Sequence, residues 1–475
     1  MLFLEFFILL LFACAFLPVL HFKVKYIPFA IISAVLSVIL LHTQVYFTDV
    51  ETFVFGNFRS SIGIEHKMDN IAYFFITLTA SIALYTLYIL QKMSKNSIKY
   101  TTCLFVLMVA AIFVFLLTND IFNFYVFFEM YAICLYLLFA MNLDSQKRTD
   151  VLDYILFGGV ASVFIVLAIE ILYIVNHTLN ISTIVKIGDG GNVVLYNIAM
   201  LFVIIAVFIK VGIFPFNGWV AKVYGFCPNF LLPFYGSLTM AFGVYLLIFF
   251  QYYVIKTYDS ILFASNVVTP FCIGTMVMFS LFAIKEKDMK MIFAYSTLVQ
   301  ASYAIICIST PNVSAINGGI LHIVHNVICK FGMFVIISQI YNSKKSYNVS
   351  VINGLFASNK IVATCFCVFV FSMIGFPFTS GFVTKFYMFQ GLIEEKRFYV
   401  LAFFVIGTIL SLIYLWKIIQ SIFFGTLNGN FIKINNTQTL IISSTALISI
   451  LFGIFPKFTL EKSQTLVIMF LQNLS

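Results

Sequence analysis

The chain is written in long apolar runs separated by short polar segments. The runs are continuous rather than alternating, which excludes the short period-two segments of a membrane β-barrel. A membrane-crossing helix needs about 20 consecutive apolar residues. The pattern predicts fourteen such spans, near 2–20, 27–42, 70–91, 101–118, 121–142, 151–175, 193–221, 231–255, 261–284, 290–308, 316–340, 357–387, 397–424 and 437–456. The second is short, and the division between the fourth and fifth rests on Thr118-Asn119-Asp120. A last apolar stretch, 463–473, is too short to span and is expected at the interface. The first run starts at once, without a basic flank, and carries Glu5, so it reads as a span and not as a cleavable signal. The expected fold class is all-α, a polytopic membrane bundle.

Composition narrows this further. Of 475 residues, 62% are hydrophobic and 9% charged, whereas a soluble domain carries roughly a quarter charged. That is too little charge to wet a surface, and too much hydrophobicity for disorder. The net charge of +9 does not point to nucleic acid, because the basic residues sit in the loops, where they orient a membrane protein. Loops on the side away from the termini hold 15 of the 27 basic residues and the terminus side holds 8, with Lys210, Lys330, Lys385 and Lys417 inside spans. The excess marks the first side as cytoplasmic and places both termini outside. The nine cysteines show no CxxC or metal spacing and read as small hydrophobes.

One phrase occurs twice. The seventh span contains Phe214-Pro215-Phe216-Asn217-Gly218-Trp219-Val220, continuing to Lys222 and Tyr224. The twelfth contains Phe376-Pro377-Phe378-Thr379-Ser380-Gly381-Phe382-Val383, continuing to Lys385 and Tyr387. The two prolines are five spans apart. An odd number inverts one unit against the other in the membrane, and inverted repeats with interrupted helices at matching places are a transporter pattern. A pair of plain proline kinks is the alternative. The expected organisation is a three-helix segment over 1–100, a first repeat over 101–255, a second over 261–424, and a closing helix and tail over 425–475.

Ionisable residues inside spans are costly and are functional candidates by default. Glu129 stands eight residues past Ile121, about 12 Å into its helix. Lys210 precedes Pro215 by five residues, where a helix break would free carbonyls to hold an ammonium. His322, His325 and Lys330 share the eleventh span at offsets that fall on one broad face. Lys385 closes the second broken phrase, placed to exchange with the terminus side. Most have a structural alternative: a hydrogen-bonded core group for Glu129 and the histidines, snorkelling for Lys210 and Lys385. Asp69, Asp120, Asp153 and Glu170 lie nearer helix ends and read as caps or solvated faces. No dinucleotide fingerprint, Walker phosphate loop, haem CxxCH or iron–sulfur cysteine run is found. No cofactor or metal is expected on this chain, and any coupled redox or ATP chemistry would belong to another.

Taken together these residues resemble the antiporter-like membrane subunits shared by respiratory complex I and the Mrp-type multi-subunit sodium/proton antiporters. The resemblance covers nearly the whole chain and is strongest from about 115 to 390. It rests on Asp120 with Phe127-Phe128-Glu129, Lys210 before Phe214-Pro215-Phe216, Lys287-Asp288-Met289-Lys290 leading to Ala294-Tyr295-Ser296, His322 to Lys330, and Gly375-Phe376-Pro377 to Lys385. It implies fourteen helices with two inverted five-helix repeats. It implies that Glu129 and Lys210 form a coupled pair, and that Lys330 and Lys385 continue a proton relay through the mid-membrane. The run from His322 to Lys330 is similar to the D-type antiporter subunit, and Lys at 385 differs from the complex I subunit with an acid there. Two departures stand out. Ala221-Lys222 replaces the family's usual Pro-Asp. No ionisable residue lies between 231 and 255, where the family commonly has a lysine just before Gly243-Val244-Tyr245; water or Tyr235 is left to bridge.

The function expected is proton translocation within a hetero-oligomeric cation/proton antiporter, with sodium as the exchanged ion, in a bacterial inner membrane. A proton-pumping subunit of an NADH:quinone oxidoreductase-like complex is the second reading. A non-conducting scaffold, suggested by the missing lysine, is the third.

Overall fold

The computed structural model describes residues 2–15, 28, 32–33, 51–54, 63–93, 98–143, 148–187, 193–424 and 434–456. The helices are α1 (Leu2–Ala15), α2 (Asn70–Lys92), α3 (Ile98–Leu117), α4 (Ile121–Met141), α5 (Arg148–Asn176), α6 (Ile181–Ile187), α7 (Val193–Val211), α8 (Val220–Phe226) and α9 (Leu232–Ile248). They continue with α10 (Tyr258–Lys285), α11 (Met289–Ile308), α12 (Val313–Lys344), α13 (Leu355–Ser358), α14 (Lys360–Ile374), α15 (Ser380–Glu394), α16 (Phe398–Phe424) and α17 (Asn436–Ile454). Eleven of the described helices are long and apolar enough to cross a membrane. The expected first span is described as α1. The second lies outside the described residues apart from helical positions 28, 32 and 33, and the stretch 463–473 lies outside them entirely. The twelfth is divided into α14 and α15, and its second half runs to Glu394, beyond the expected end at 387.

The chain forms two compact units, Met1–Ala206 with Tyr252–Ile255, and Val207–Gln251 with Lys256–Ser475. The first unit holds a feature the apolar pattern does not announce, an antiparallel hairpin of β1 (Glu51–Val54) and β2 (Glu65–Met68). Strands of four residues carry too little alternation to be seen in sequence. In the second unit α9, α11 and α12 are buried on nearly every side, as helices apolar all round must be. Helix α9 continues as a π-helix over Phe249–Ile255.

Helix starts are capped as their sequences suggest. Asp69 accepts from Ala72 N–H at 2.9 Å, and Asp120 from Asn123 N–H at 2.7 Å. Asp288 accepts from Lys290 and Met291. Burial pushes the Asp120 and Asp288 carboxyls up from the ordinary aspartate value, and the N–H groups they cap pull them part of the way back.

The repeat is visible in backbone detail. Asp120 bridges Asn180, and Asp288 bridges Asn348, both antiparallel. Ile121 N–H donates to Leu179 (3.0 Å) and Ile181 N–H to Asn119 (2.9 Å); Met289 donates to Tyr347 (2.8 Å) and Val349 to Lys287 (2.9 Å). Each bond reappears 168 residues later. The helix breaks match as well. Gly212 (φ 86°) ends α7 and Gly375 (φ 94°) ends α14. The N–H groups of Gly212 and Ile213 both reach the carbonyl of Phe208, and those of Gly375 and Phe376 both reach that of Phe371. A left-handed glycine closing a helix in this way satisfies carbonyls that would otherwise face lipid.

Candidate functional site

The second unit assembles most of the expected residues. The site starts from the break after α14. A helix end leaves carbonyls without partners, and here those of Met373 and Ile374 face the next segment. Lys385, on α15, reaches back to both, at 3.2 and 2.8 Å. Its ammonium also lies 5.3 Å from the ring centre of Tyr303. It is buried in the interior, 5% exposed, rather than standing at the end of a span. The helix macrodipole puts partial negative charge at the seat it occupies. Gly375 leaves room for this: a Cβ there would stand 3.0 Å from Lys385 Cδ.

Lys330 is fully buried on α12. Its ammonium donates to the carbonyl of Phe293 at 2.7 Å and to the hydroxyl of Ser296, both on α11. Among the described residues no carboxylate pairs with Lys330 or Lys385. Two further lysines follow the same rule. Lys290 donates to the carbonyls of Gly225 and Cys227 at the end of α8, and Lys417 to that of Ile284 near the end of α10.

His322 sits between the two central lysines, with both ring nitrogens engaged. Nε2 meets Gln300 Oε1 at 2.9 Å and Nδ1 meets Thr384 Oγ1 at 3.0 Å. Gln300 is one helical turn from Ser296 on α11, and Thr384 adjoins Lys385 on α15. A series of hydrogen-bonding groups therefore runs from Lys330 through Ser296, Gln300, His322 and Thr384 to Lys385. His325 faces elsewhere. Its Nδ1 meets Ser380 Oγ at 2.8 Å, and Ser380, Ser372 and Ser449 close a triangle of hydroxyls at 2.8 to 3.1 Å. The broad face expected for His322, His325 and Lys330 is thus split, with Lys330 on α11, His325 on α14, α15 and α17, and His322 in contact with both sides.

Beside His322 lies a small cavity lined by Met240, Ala241, Val244, Gln300, His322 and Asn326, among others. Its volume of about 10 Å³ is room for roughly one water. Gln300 Nε2 and Asn326 Oδ1 are buried there without protein partners. Ala241 and Met240 stand where α9 lacks the ionisable residue that the resemblance leads one to expect. Tyr235, the other bridging candidate, is fully buried and packs edge-on to Tyr224 at 5.1 Å.

Lys210 lies in the last turn of α7, half-buried, two residues before Gly212. At that break a neutral donor serves: Trp219 Nε1–H donates to the carbonyl of Ile209 at 3.0 Å. Glu129 is on α4 in the first unit, half-buried. Gln300, Thr384 and the serines were not singled out in the sequence. The signal was available on α11, where Phe293, Ser296, Gln300 and Tyr303 recur at three- and four-residue spacing, one face of a helix. No group of three or more His, Cys, Asp and Glu able to hold a metal occurs among the described residues.

A family model described as "NADH:quinone oxidoreductase/Mrp antiporter, TM" matches residues 118–411. The NADH-quinone oxidoreductase subunit N of Desulforudis audaxviator is 26% identical over 367 residues, 76% of this chain and 72% of that one. The putative antiporter subunit mnhD2 of Staphylococcus aureus is 26% identical over 410 residues, 85% and 82%. Among solved structures, a chain of the membrane-bound sulfane sulfur reductase, an archaeal respiratory membrane complex, superposes with a TM-score of 0.90 at 20% identity, covering 99% of both chains. A chain of the Mrp complex from Dietzia sp. DQ12-45-1b does so with a TM-score of 0.86, again at 20% identity and 99% of both.

Proposed function

The chain belongs to the NADH:quinone oxidoreductase/Mrp antiporter membrane family, and from that premise we propose that it is a proton-translocating subunit of a multi-subunit cation/proton antiporter. The observation that carries this reading is the buried series from Lys330 to Lys385 with His322 held at its middle. Two ammonium groups seated on backbone carbonyls have dipoles around them and, among the described residues, no counter-charge. Gain or loss of one proton changes the field at the next group, and the imidazole between them can pass a proton either way. A water in the cavity at Gln300 and Asn326 would extend the series toward α9, where the chain has no charged side chain. Glu129 and Lys210 enter the relay on the strength of the resemblance, as the pair that sets charge at the first break.

Sodium is the exchanged ion in this reading, the assembly is a set of membrane subunits in a bacterial inner membrane, and both termini face away from the cytoplasm. The test is sodium-driven proton movement in everted vesicles carrying the complete assembly. Lys385→Ala and Lys330→Ala are expected to abolish exchange while the subunits still purify together. Full exchange in both would overturn the reading.

The relationship to an oxidoreductase subunit favours a second reading, in which a redox reaction on another chain drives the same relay. Mild-detergent purification with mass spectrometry separates the two. Multi-helix partners without cofactors support the antiporter. Flavin or iron–sulfur subunits support the redox-driven pump.

A further inference from the structure

The first unit contains a buried ionisable cluster that neither the repeat nor the relay accounts for. Glu5 on α1, Glu65 and His66 on β2 are each under a tenth exposed. Glu5 Oε1 meets His66 Nδ1 at 2.7 Å. On the far side of the ring, His66 Nε2 lies 3.5 Å from Asn123 Nδ2, on the first turn of α4. Glu65 is held differently. Its Oε2 accepts from both Asn119 Nδ2 (2.9 Å) and Asn180 Nδ2 (3.0 Å). Glu65 is thus fixed between two amides, whereas Glu5 and His66 share one hydrogen bond along which a proton can reside on either partner. Taking such groups out of water is costly unless they are paired or used.

The repeat supplies an internal control. The junction around Asp120 and Asn180 has its counterpart around Asp288 and Asn348. There the residues matching Asn119 and Asn123 are Lys287 and Met291, and Lys287 is exposed. The backbone bonds are kept while the buried acid–imidazole cluster occurs at the first junction, so the backbone geometry does not require it. The cluster also stands at the start of the helix that carries Glu129. From Asn123 to Glu129 is six residues, about 9 Å along the axis. The other charged groups on or beside the elements meeting here are Glu51 on β1, Lys67 on β2 with Asp69 following it, Lys99 on α3, Asp120 and Glu129 with α4, and Lys186 on α6; α1 brings Glu5 alone.

We propose that Glu5 and His66 form a proton-exchange site at the hairpin end of α4, holding a proton between the solution on that side and Glu129. The proposal rests on the transport reading above. In the step itself a proton leaves His66 Nδ1 for the Glu5 carboxylate, or returns, with no other bond made or broken.

The experiment uses the complete assembly in everted vesicles, with Glu5→Gln and His66→Gln. Exchange is expected to fall more than about ten-fold, the scale of losing one positioned proton-transfer group, and its pH profile to shift, with subunit composition unchanged. Rates within about two-fold of the parent and an unchanged profile in both variants would overturn the site and leave a structural clasp. If His66→Gln does not assemble, Glu5→Gln, which keeps the side-chain shape, decides by the same readouts. Lys385→Ala run in parallel separates the two failures: it loses exchange if only this site is wrong, and retains it if the transport reading is wrong.

Discussion

The two helix breaks share a frame and differ in chemistry. After α7 and after α14 a left-handed glycine closes the helix onto a phenylalanine carbonyl four residues back. At the first break the indole of Trp219 takes the buried carbonyl of Ile209, and the lysine, Lys210, stands before the break. At the second, Lys385 stands after the break and itself takes two carbonyls. The residue matching Lys385 in the first copy is Lys222, which is exposed. Duplication has preserved the way backbone polarity is satisfied in lipid, and the charge has been free to move from one flank to the other. The break is therefore a scaffold, and the lysine is the variable that gives each copy its role.

This comparison can be broken in a graded way. The largest effect is expected from Lys385→Ala, which strips the second break of its ammonium: sodium-driven exchange in vesicles should fall to background, whereas Lys222→Ala at the matching place should leave it unchanged. His322→Gln comes next. It keeps an amide between Gln300 and Thr384 but removes the group that titrates, and a loss of about 10²-fold is expected, the lower end for a positioned acid–base residue. Gly212→Ala and Gly375→Ala test the frame itself. Each forces a Cβ into the left-handed region at roughly 1–2 kcal/mol, and at Gly212 the new atom also meets Val220 Cγ2. Both should lower the melting midpoint in detergent, Gly212→Ala the more. The smallest effect on exchange is predicted for Trp219→Phe, which leaves the buried carbonyl of Ile209 without its donor at a cost of about 1–3 kcal/mol. Its melting midpoint should drop and its exchange rate hold; a large fall in exchange would mean that the first break works by the same device as the second.

The sequence reveals the breaks well because proline and glycine leave marks at corresponding places in the two copies. It also reveals Lys330 and Lys385, since a charge inside an apolar run is conspicuous whatever surrounds it. The neutral partners are a different matter. Gln300, Thr384 and Ser380 are ordinary residues in membrane helices, and only the packing of α11, α12 and α15 shows which of them meet an imidazole. The hairpin escapes because four-residue strands are paired by their neighbours and not by their own pattern. His66 escapes with it: a histidine in a polar loop looks solvated until α1 and the start of α4 are seen to cover it. The split of His322 from His325 is likewise invisible on one helix, where three residues of separation place them on a common face.

The matched bonds also record how the two halves have diverged in length. The bridge residues lie 168 apart and the break residues 163 apart. The second copy is therefore five residues shorter between the bridge at Asn348 and the break than the first is between Asn180 and its break. On the far side of the break the prolines lie 162 apart, and the spacing of 163 returns from Gly218 and Gly381 through Tyr224 and Tyr387. The net length change falls in the connector, whereas the one-residue shift of the prolines within the turn is made up again before Tyr224 and Tyr387. Engineered length changes should follow the same boundary.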